Sequence, residues 1–190
     1  IIREYCRNST ASSLNELRLG HEFLHGEVHS YCPAYTDATI GEYIQSSSHI
    51  TFNSVAQYEK FAGRIAMHNA MPVNHHVSPG LRVNPKCSVI EADIYNPALP
   101  GSRFGVDASA LGDRLPAGID GLHFHALCES SSYDLARVLE AFERQFGKFL
   151  PQLKWVNMGG GHLMTREGYD VDHLVKILSE FRTRYPWLKV

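Results

Sequence analysis

Short β-branched or aromatic runs alternate with amphipathic segments along almost the whole chain. The segments around Val28 to Tyr31 and from His49 to Asn53 are typical of strands, and each is followed by apolar residues at helical spacing. The same alternation continues to the last helix, so that six or seven strands are predicted. Strands that alternate with helices pair in parallel through right-handed crossovers. The pattern therefore predicts an α/β fold, either an open doubly wound sheet or a TIM-type (β/α)8 barrel.

The barrel is the favoured architecture, because the sequence shows no division into two nucleotide-binding halves. A TIM barrel typically takes about 250 residues. The chain has 190 residues, and Trp187 to Val190 read as the start of a further strand. We therefore interpret residues 1–190 as one partial barrel domain.

Several boundaries follow from capping and strand signals. Ser13 with Glu16 three residues later forms a capping-box pattern, Asp37 is a candidate cap for the helix after it, and Asn53 or Ser54 is one for the next. Asp170 is expected to open the last helix. The remaining expectations are strands at Val77 to Val83 and Ile119 to Leu127, a long irregular piece to about Ser102, and a short helix from Ala108 to Leu115.

The segment Leu153 to Leu163, LKWVNMGGGHL, carries three adjacent glycines directly after an apolar run. Three glycines lose more backbone entropy on folding than a surface turn requires, and the absence of Cβ atoms allows close approach to the backbone. Amide groups in such turns commonly converge on a phosphate or another anion. Gly159, Gly160 and Gly161 are therefore candidates for binding a phosphate-bearing cofactor, with a flexible loop as the alternative.

Three cationic or titratable residues are expected near the same strand ends. His123 and His125 are two apart on a predicted strand and should point to one face. They could form a metal pair, His123 could be a core histidine, and His125 could stack on an aromatic cofactor. Arg82 lies in an apolar strand, where its charge should face an anion or a polar group unless the side chain extends to solvent.

Cys128 and Glu129, which follow His125 in the chain, are further candidate site residues. Cys128 could place a thiol or a backbone N–H near a phosphate, or serve only in packing. Glu129 could pair with a cationic substrate or cap the helix that begins near Ser131.

The overall composition and charge limit which kinds of partner the chain is expected to bind. The net charge is −2, so the chain lacks the basic field that nucleic acid attracts. No apolar run approaches the roughly 20 residues of a membrane span, and the four cysteines are scattered without a CxxC pair. These features favour a cytoplasmic protein that binds neither nucleic acid nor membrane, and they indicate no metal site.

The chain resembles the carboxynorspermidine (carboxyspermidine) decarboxylases from about Ala11 to Val190. The resemblance rests on an ordered set of segments: ASSLNELRLG, GEVHSYCP, HITFNS, GLRVNP, SRFG, GLHFHALCE and WVNMGGGHLMTREGYD. These enzymes are pyridoxal-phosphate decarboxylases of fold type III, together with ornithine and diaminopimelate decarboxylases. The FHALCE and NMGGGH segments are the most specific to the family.

The resemblance implies an alanine-racemase-like barrel, a C-terminal β domain, a homodimer with active sites between subunits, and pyridoxal 5'-phosphate as cofactor. It implies decarboxylation of carboxynorspermidine or carboxyspermidine to norspermidine or spermidine plus CO2. The implied roles are ring stacking for His125, phosphate binding for Gly159, Gly160 and Gly161, a phosphate-side position for Cys128, and a position near the cofactor ring for Arg82. Glu129 is a candidate for binding the polyamine.

The chain also departs from the family pattern. The cofactor lysine of the family precedes the ASS segment, whereas Ile1 to Thr10 contain no lysine. The family's EPGEA segment would begin just after Val190, and its CxxCD segment is absent. We therefore expect the chain to be inert alone and to form no covalent cofactor adduct on borohydride reduction, with the activity belonging to a longer parent.

Three other functions fit parts of the pattern. Another type III decarboxylase, acting on diaminopimelate, ornithine or arginine, shares the glycine and histidine segments. A homologue that binds the cofactor without catalysis would do the same. A metal-dependent barrel hydrolase would instead use His123 and His125 as ligands.

Overall fold

The structure, a computed structural model, describes residues 2–90 and 92–190 and divides the chain into two compact units. The first unit runs to Leu81 and includes Pro116–Ile119, and the second comprises Arg82–Leu115 and Asp120–Val190. The interpretation of residues 1–190 as a single partial barrel domain stays a prediction. None of the helices in the described part of the chain combines the length and apolar character needed to cross a bilayer.

Four parallel strands with helices between them build the first unit. The pairing runs in chain order, and His49 lies opposite both His29 and Ser78. The elements are α1 (Ile2–Tyr5), β1 (Ser9–Ala11), α2 (Leu14–Phe23), β2 (Val28–Tyr31), α3 (Ile40–Ser46), β3 (His49–Phe52), α4 (Val55–Asn69) and β4 (Ser78–Arg82). Its fully buried side chains include Leu17, Ile40, Ile50, Phe52 and Phe61.

Two of the predicted caps in this unit are confirmed. The Ser13 hydroxyl accepts the backbone N–H of Glu16 at 3.3 Å and starts α2. The Ser54 hydroxyl accepts the N–H of Gln57 at 3.2 Å and starts α4. In both helices the cap satisfies one of the backbone donors that the first turn leaves without a helical acceptor.

The predicted cap at Asp37 is wrong. Helix α3 begins at Ile40 with Thr39 as its N-cap. The carboxylate of Asp37 instead accepts from Lys60 Nζ on α4 at 2.6 Å. A long-range ion pair that no local pattern reveals therefore takes the carboxylate away from the helix start.

The second unit contains a parallel strand pair and two long helices. Its elements are 3-10 turns at Asp93–Tyr95, Ala108–Ala110 and Gly147–Gln152, together with β5 (Gly121–His123), α5 (Ser132–Phe146), β6 (Trp155–Asn157) and α6 (Val171–Arg184). Gly121 lies opposite Trp155 and His123 opposite Asn157. The unit's fully buried aromatic side chains are Phe124, Phe142, Phe146, Phe149 and Phe181. Asp170 caps α6 as predicted, since its side chain accepts from the N–H of His173 at 2.8 Å.

Two predicted elements are shorter than expected. Strand β5 ends at His123 and does not reach Leu127, because the carbonyls of Phe124 and Leu127 turn to meet the glycine segment after β6. The helix predicted from Ala108 to Leu115 is only a three-residue 3-10 turn, with Gly112 and Pro116 following it. Near the chain end, Lys189 pairs with Trp155, where a further strand was predicted.

Candidate functional site

The three glycines directly after β6 form a turn that only glycine accommodates at two of its positions. Gly159 has φ +74° and Gly161 has φ +99°. A Cβ on Gly159 would lie 2.6 Å from the Phe124 carbonyl oxygen, and one on Gly161 would lie 2.3 Å from that of Leu127. Gly160 is exposed, and a Cβ there would meet no atom within 4 Å. The turn therefore packs tightly against the segment after β5 and presents the Gly160 backbone outward.

Asn157, the last residue of β6, holds the turn through its side-chain oxygen. Asn157 Oδ1 accepts the N–H of Gly159 at 2.8 Å and lies 3.0 Å from Nδ1 of His123. Because an amide oxygen is an acceptor only, His123 carries its proton on Nδ1. Burial, followed by the charge of Arg82, lowers the pKa of His123 to about 3 against the opposing hydrogen bond from Asn157. His123 is thus a neutral core histidine that links the two strands.

His125 lies two residues beyond β5, directly against the glycine turn. Its Nδ1 is 3.5 Å from the backbone nitrogen of Gly160, and its ring is exposed. Partial burial of the side chain, followed by the charge of Arg82, lowers the pKa of His125. The imidazole is therefore neutral at pH 7 and offers an uncharged, accessible surface beside the turn. Its role in stacking on a cofactor ring stays a prediction.

Arg82, the last residue of β4, is buried in the second unit with an exposed fraction of 6%. Its Nη2 donates to the carbonyl oxygen of His125 at 3.1 Å, and its guanidinium carbon lies 4.7 Å from the ring centroid of Phe104. A guanidinium over an aromatic face is attracted by the ring quadrupole. The side chain does not extend to solvent, and it holds the backbone of His125 in place.

Asn84 lies two residues beyond the end of β4, at a strand end where the barrel fold predicts a ligand. Its exposed fraction is 2%, and its Oδ1 accepts the N–H of Lys86 at 2.9 Å. Within residues 2–90 and 92–190, its Nδ2 has no hydrogen-bond partner. A buried donor left in this state costs about 1–3 kcal/mol. Asn84 lines a small cavity that also contacts Arg82, Phe104 and His125; the polar residue in GLRVNP, just after an apolar strand, was the available signal.

Cys128 and Glu129 lie where the chain passes the glycine turn. An added Cβ on Gly161 would be 3.1 Å from the backbone nitrogen of Cys128, so the two segments are in contact. The N–H of Cys128 donates to the Ser130 hydroxyl at 3.2 Å, and its side chain is exposed. Glu129 is exposed with φ +48°, a conformation that non-glycine residues adopt rarely. The structure thus brings Cys128 to the turn, and the role of Glu129 stays a prediction.

The metal hypothesis gains no support from the predicted histidine pair. His123 and His125 have ring centroids 6.1 Å apart, and the group of potential ligands found among the described residues does not include them. That group consists of Glu27, His29 and His49 in the first unit. The His29 and His49 rings are stacked with centroids 3.7 Å apart and planes 17° apart. In-plane lone pairs of nearly parallel rings do not converge, so this stack is poorly arranged to hold one ion.

The chain is similar over nearly its full length to several curated decarboxylases. It is 42% identical over 189 residues, 100% of the chain, to carboxyaminopropylagmatine decarboxylase from Synechocystis sp.. It is 40% identical over 97% of the chain to carboxynorspermidine/carboxyspermidine decarboxylase from Campylobacter jejuni, and 32% identical over the same share to the protein of that name from Herminiimonas arsenicoxydans. No family model matches. The resemblance inferred from the sequence is confirmed.

These matches cover only part of each relative. The chain spans about half the length of the curated relatives, from 46% to 48%. The crystal structure of Campylobacter jejuni carboxynorspermidine decarboxylase complexed with norspermidine superposes on the whole chain with a TM-score of 0.84 and 38% identity, over 46% of its own length.

A diaminopimelate decarboxylase structure matches 93% of the chain with a TM-score of 0.66. At 18% identity this second match shows the fold alone. The predicted α/β fold with parallel strands, part of a decarboxylase barrel, is therefore confirmed, and the described residues contribute six of its strands.

Proposed function

We propose that this chain belongs to a pyridoxal-phosphate-dependent carboxy-lyase that decarboxylates a carboxylated polyamine. The proposal is carried by one arrangement: the outward-facing Gly160 backbone lies 3.5 Å from Nδ1 of an exposed, neutral His125. Phosphate binding by glycine amides and ring binding by a flat side chain can occur side by side there. Similarity at 40–42% identity to curated decarboxylases supports the same reaction class.

The glycine turn fits a phosphate group. The N–H of Gly159 donates to Asn157 Oδ1, so this N–H group is not available to bind a phosphate. Gly160 has open space where a Cβ would be, and its N–H reaches its present acceptor only at 3.5 Å. Backbone donors of this kind bind anions without side-chain reorganisation. We assign the phosphate to Gly160 and Gly161, with the adjoining Cys128 segment as one wall.

His125 and Arg82 would set the position of the ring. A neutral imidazole stacks on an aromatic ring without placing a charge against it, and the lowered pKa of His125 keeps it neutral. Arg82 donates to the His125 carbonyl and so fixes the backbone from which the imidazole projects. When bound, pyridoxal phosphate supplies an electron sink that allows an α-carboxylate to leave as CO2. The residues described here would position that molecule for the reaction.

Two substrates are candidates within this class. Carboxynorspermidine or carboxyspermidine follows from the family segments and from the Campylobacter relative at 40% identity. Carboxyaminopropylagmatine is the second candidate, because the Synechocystis relative is 42% identical. Both substrates carry a carboxylate and several amines. Exposed carboxylates such as Glu129 and Asp93 would favour the cationic part of either one.

Assembly and location complete the proposal. We propose a homodimer in the complete protein and a cytoplasmic location, with neither nucleic acid nor membrane as a partner. The net charge of −2 supports only the absence of nucleic acid as a partner, because it provides no field that attracts polyanions.

The test is a decarboxylation assay of the complete protein that contains this chain. CO2 and amine product are measured with carboxynorspermidine, carboxyspermidine, carboxyaminopropylagmatine, diaminopimelate, ornithine and arginine, with and without added pyridoxal phosphate. The proposal predicts cofactor-dependent release of CO2 from a carboxylated polyamine or agmatine derivative and much slower release from the three amino acids. Preferred turnover of an amino acid would assign a different type III decarboxylase, and cofactor binding without CO2 release would indicate a non-catalytic homologue.

A further inference from the structure

We infer that Asn84 is a binding residue that donates a hydrogen bond from Nδ2 to an anionic oxygen of the molecule bound beside His125. The identity of that molecule rests on the proposed function. The inference rests on a buried side chain, 2% exposed, whose Nδ2 has no partner in the described part of the chain. The same side chain lines the cavity next to Arg82 and His125.

The orientation of the Asn84 amide is determined by its neighbours. Its Oδ1 accepts the N–H of Lys86 at 2.9 Å, so exchanging the oxygen and nitrogen positions would place two donors against each other. The backbone is held as well. The N–H of Asn84 donates to the carbonyl of Val106 at 3.0 Å, and the N–H of Val83 donates to that of His123 at 2.8 Å. The backbone at residues 83 and 84 is therefore anchored on both sides by long-range hydrogen bonds.

The surroundings of Asn84 select the chemistry of the ligand atom. Arg82 contributes a positive charge to the same cavity, and Pro85, Pro97 and Ala98 form its apolar walls. A ligand atom that accepts from Asn84 in this cavity must be compatible with the nearby Arg82 cation. An anionic oxygen is favoured most, because charge-assisted hydrogen bonds are stronger where water is scarce. Two such oxygens belong to the proposed complex, the carboxylate of the substrate and the phenolate of the cofactor ring.

The decisive variant is Asn84→Asp, with Asn96→Asp as its matched control. Both asparagines accept a backbone N–H two residues later at 2.9 Å, from Lys86 and Ala98 respectively. Each substitution keeps that acceptor, removes the amide donor and adds one negative charge. Only the change at position 84 does so beside Arg82 and His125. Asn84→Ala is the second variant, which removes the donor without adding charge.

Two measurements on the complete protein separate the two sources of the oxygen. The Kd of pyridoxal phosphate is measured by equilibrium dialysis and by quenching of intrinsic fluorescence, and kcat and KM are measured for the carboxylated polyamine. Thermal unfolding without ligand checks that each variant is folded. Loss of a hydrogen bond to a charged acceptor corresponds to about a 10- to 100-fold effect.

A rise of that size in the cofactor Kd for both Asn84 variants, with Asn96→Asp unchanged, supports the inference with the phenolate as acceptor. An unchanged cofactor Kd with KM raised by that factor supports it with the carboxylate. Wild-type Kd, kcat and KM in folded Asn84→Asp overturn it. If the wild type binds pyridoxal phosphate but releases no CO2, the proposed reaction fails while the Kd arm still decides the role of Asn84. A wild type that binds neither cofactor nor substrate overturns both.

Discussion

Replacing Gly159 by alanine tests whether the glycine turn is held rigidly against the segment after β5. The new Cβ would lie 2.6 Å from the Phe124 carbonyl oxygen and 2.9 Å from His125 Nδ1. The imidazole can rotate, but the carbonyl cannot withdraw, because the N–H of Phe124 donates to the Asn157 carbonyl at 3.0 Å and the Phe124 ring is fully buried. The backbone also stands at φ +74°.

The two effects add to a measurable destabilisation. A left-handed conformation costs alanine about 1–2 kcal/mol, and overpacking a tight site costs about 1–3 kcal/mol. We therefore expect Gly159→Ala to lower the free energy of unfolding by about 2–5 kcal/mol. For a chain of this length the corresponding decrease in Tm is about 4–20 °C.

Gly160→Ala is the matched control for this experiment. Its Cβ would meet nothing within 4 Å, and its φ lies outside the left-handed region. Its free energy of unfolding should stay within about 0.5 kcal/mol of wild type or rise slightly, since alanine restricts the unfolded chain. Urea denaturation followed by circular dichroism measures both variants. Equal midpoints for the two would refute the packing described for this turn.

Three further perturbations test other parts of the site. Because the pKa of His123 is lowered to about 3 by burial, the unfolded state binds more protons below about pH 6.5. The contribution of His123 to the free energy of unfolding should therefore be fully present above that pH and decrease by up to about 1.4 kcal/mol per pH unit towards pH 3. His123→Asn should reduce this pH dependence, as measured by urea titrations at several pH values. Asn157→Ala leaves the donors of His123 and Gly159 without their acceptor, so calorimetry should show a loss of about 2–4 kcal/mol, and a loss below 0.5 kcal/mol would contradict it. Ser131→Ala removes the capping box of α5 and should cost about 1 kcal/mol by chemical denaturation, whereas Ser179→Ala on the exposed side of α6 should not.

Local signals in the sequence were sufficient where the determining contacts are local. The Ser13, Ser54 and Asp170 caps lie three residues from the N–H groups that they bind. The Asp37 cap failed because its carboxylate pairs with a lysine 23 residues away. The end of β5 was misplaced for a similar reason, since the chain after His123 bends to meet the glycine turn.

The candidate site was predictable in composition but not in detail. The glycines and His125 were recognisable from their segments, and their proximity follows from parallel strands ending at one edge. The roles of Asn84 and Asn157 were not predictable, because each depends on which side-chain atom makes a hydrogen bond and which does not. The side-chain oxygen of Asn157 accepts from two donors, whereas the side-chain nitrogen of Asn84 is a buried donor without an acceptor among the described residues. Neither fact has a signature in spacing or periodicity.

The most direct test of the proposed cofactor site compares pyridoxal phosphate binding by Gly160→Ala and Gly147→Ala. Both positions have open space for a methyl group, but only Gly160 faces His125 across the glycine turn, whereas Gly147 ends α5. If Gly160 N–H binds the phosphate, its added methyl group should raise the cofactor Kd at least about 10-fold with no loss of stability, and Gly147→Ala should bind like wild type. Equal Kd values for wild type, Gly160→Ala and Gly147→Ala would contradict the account.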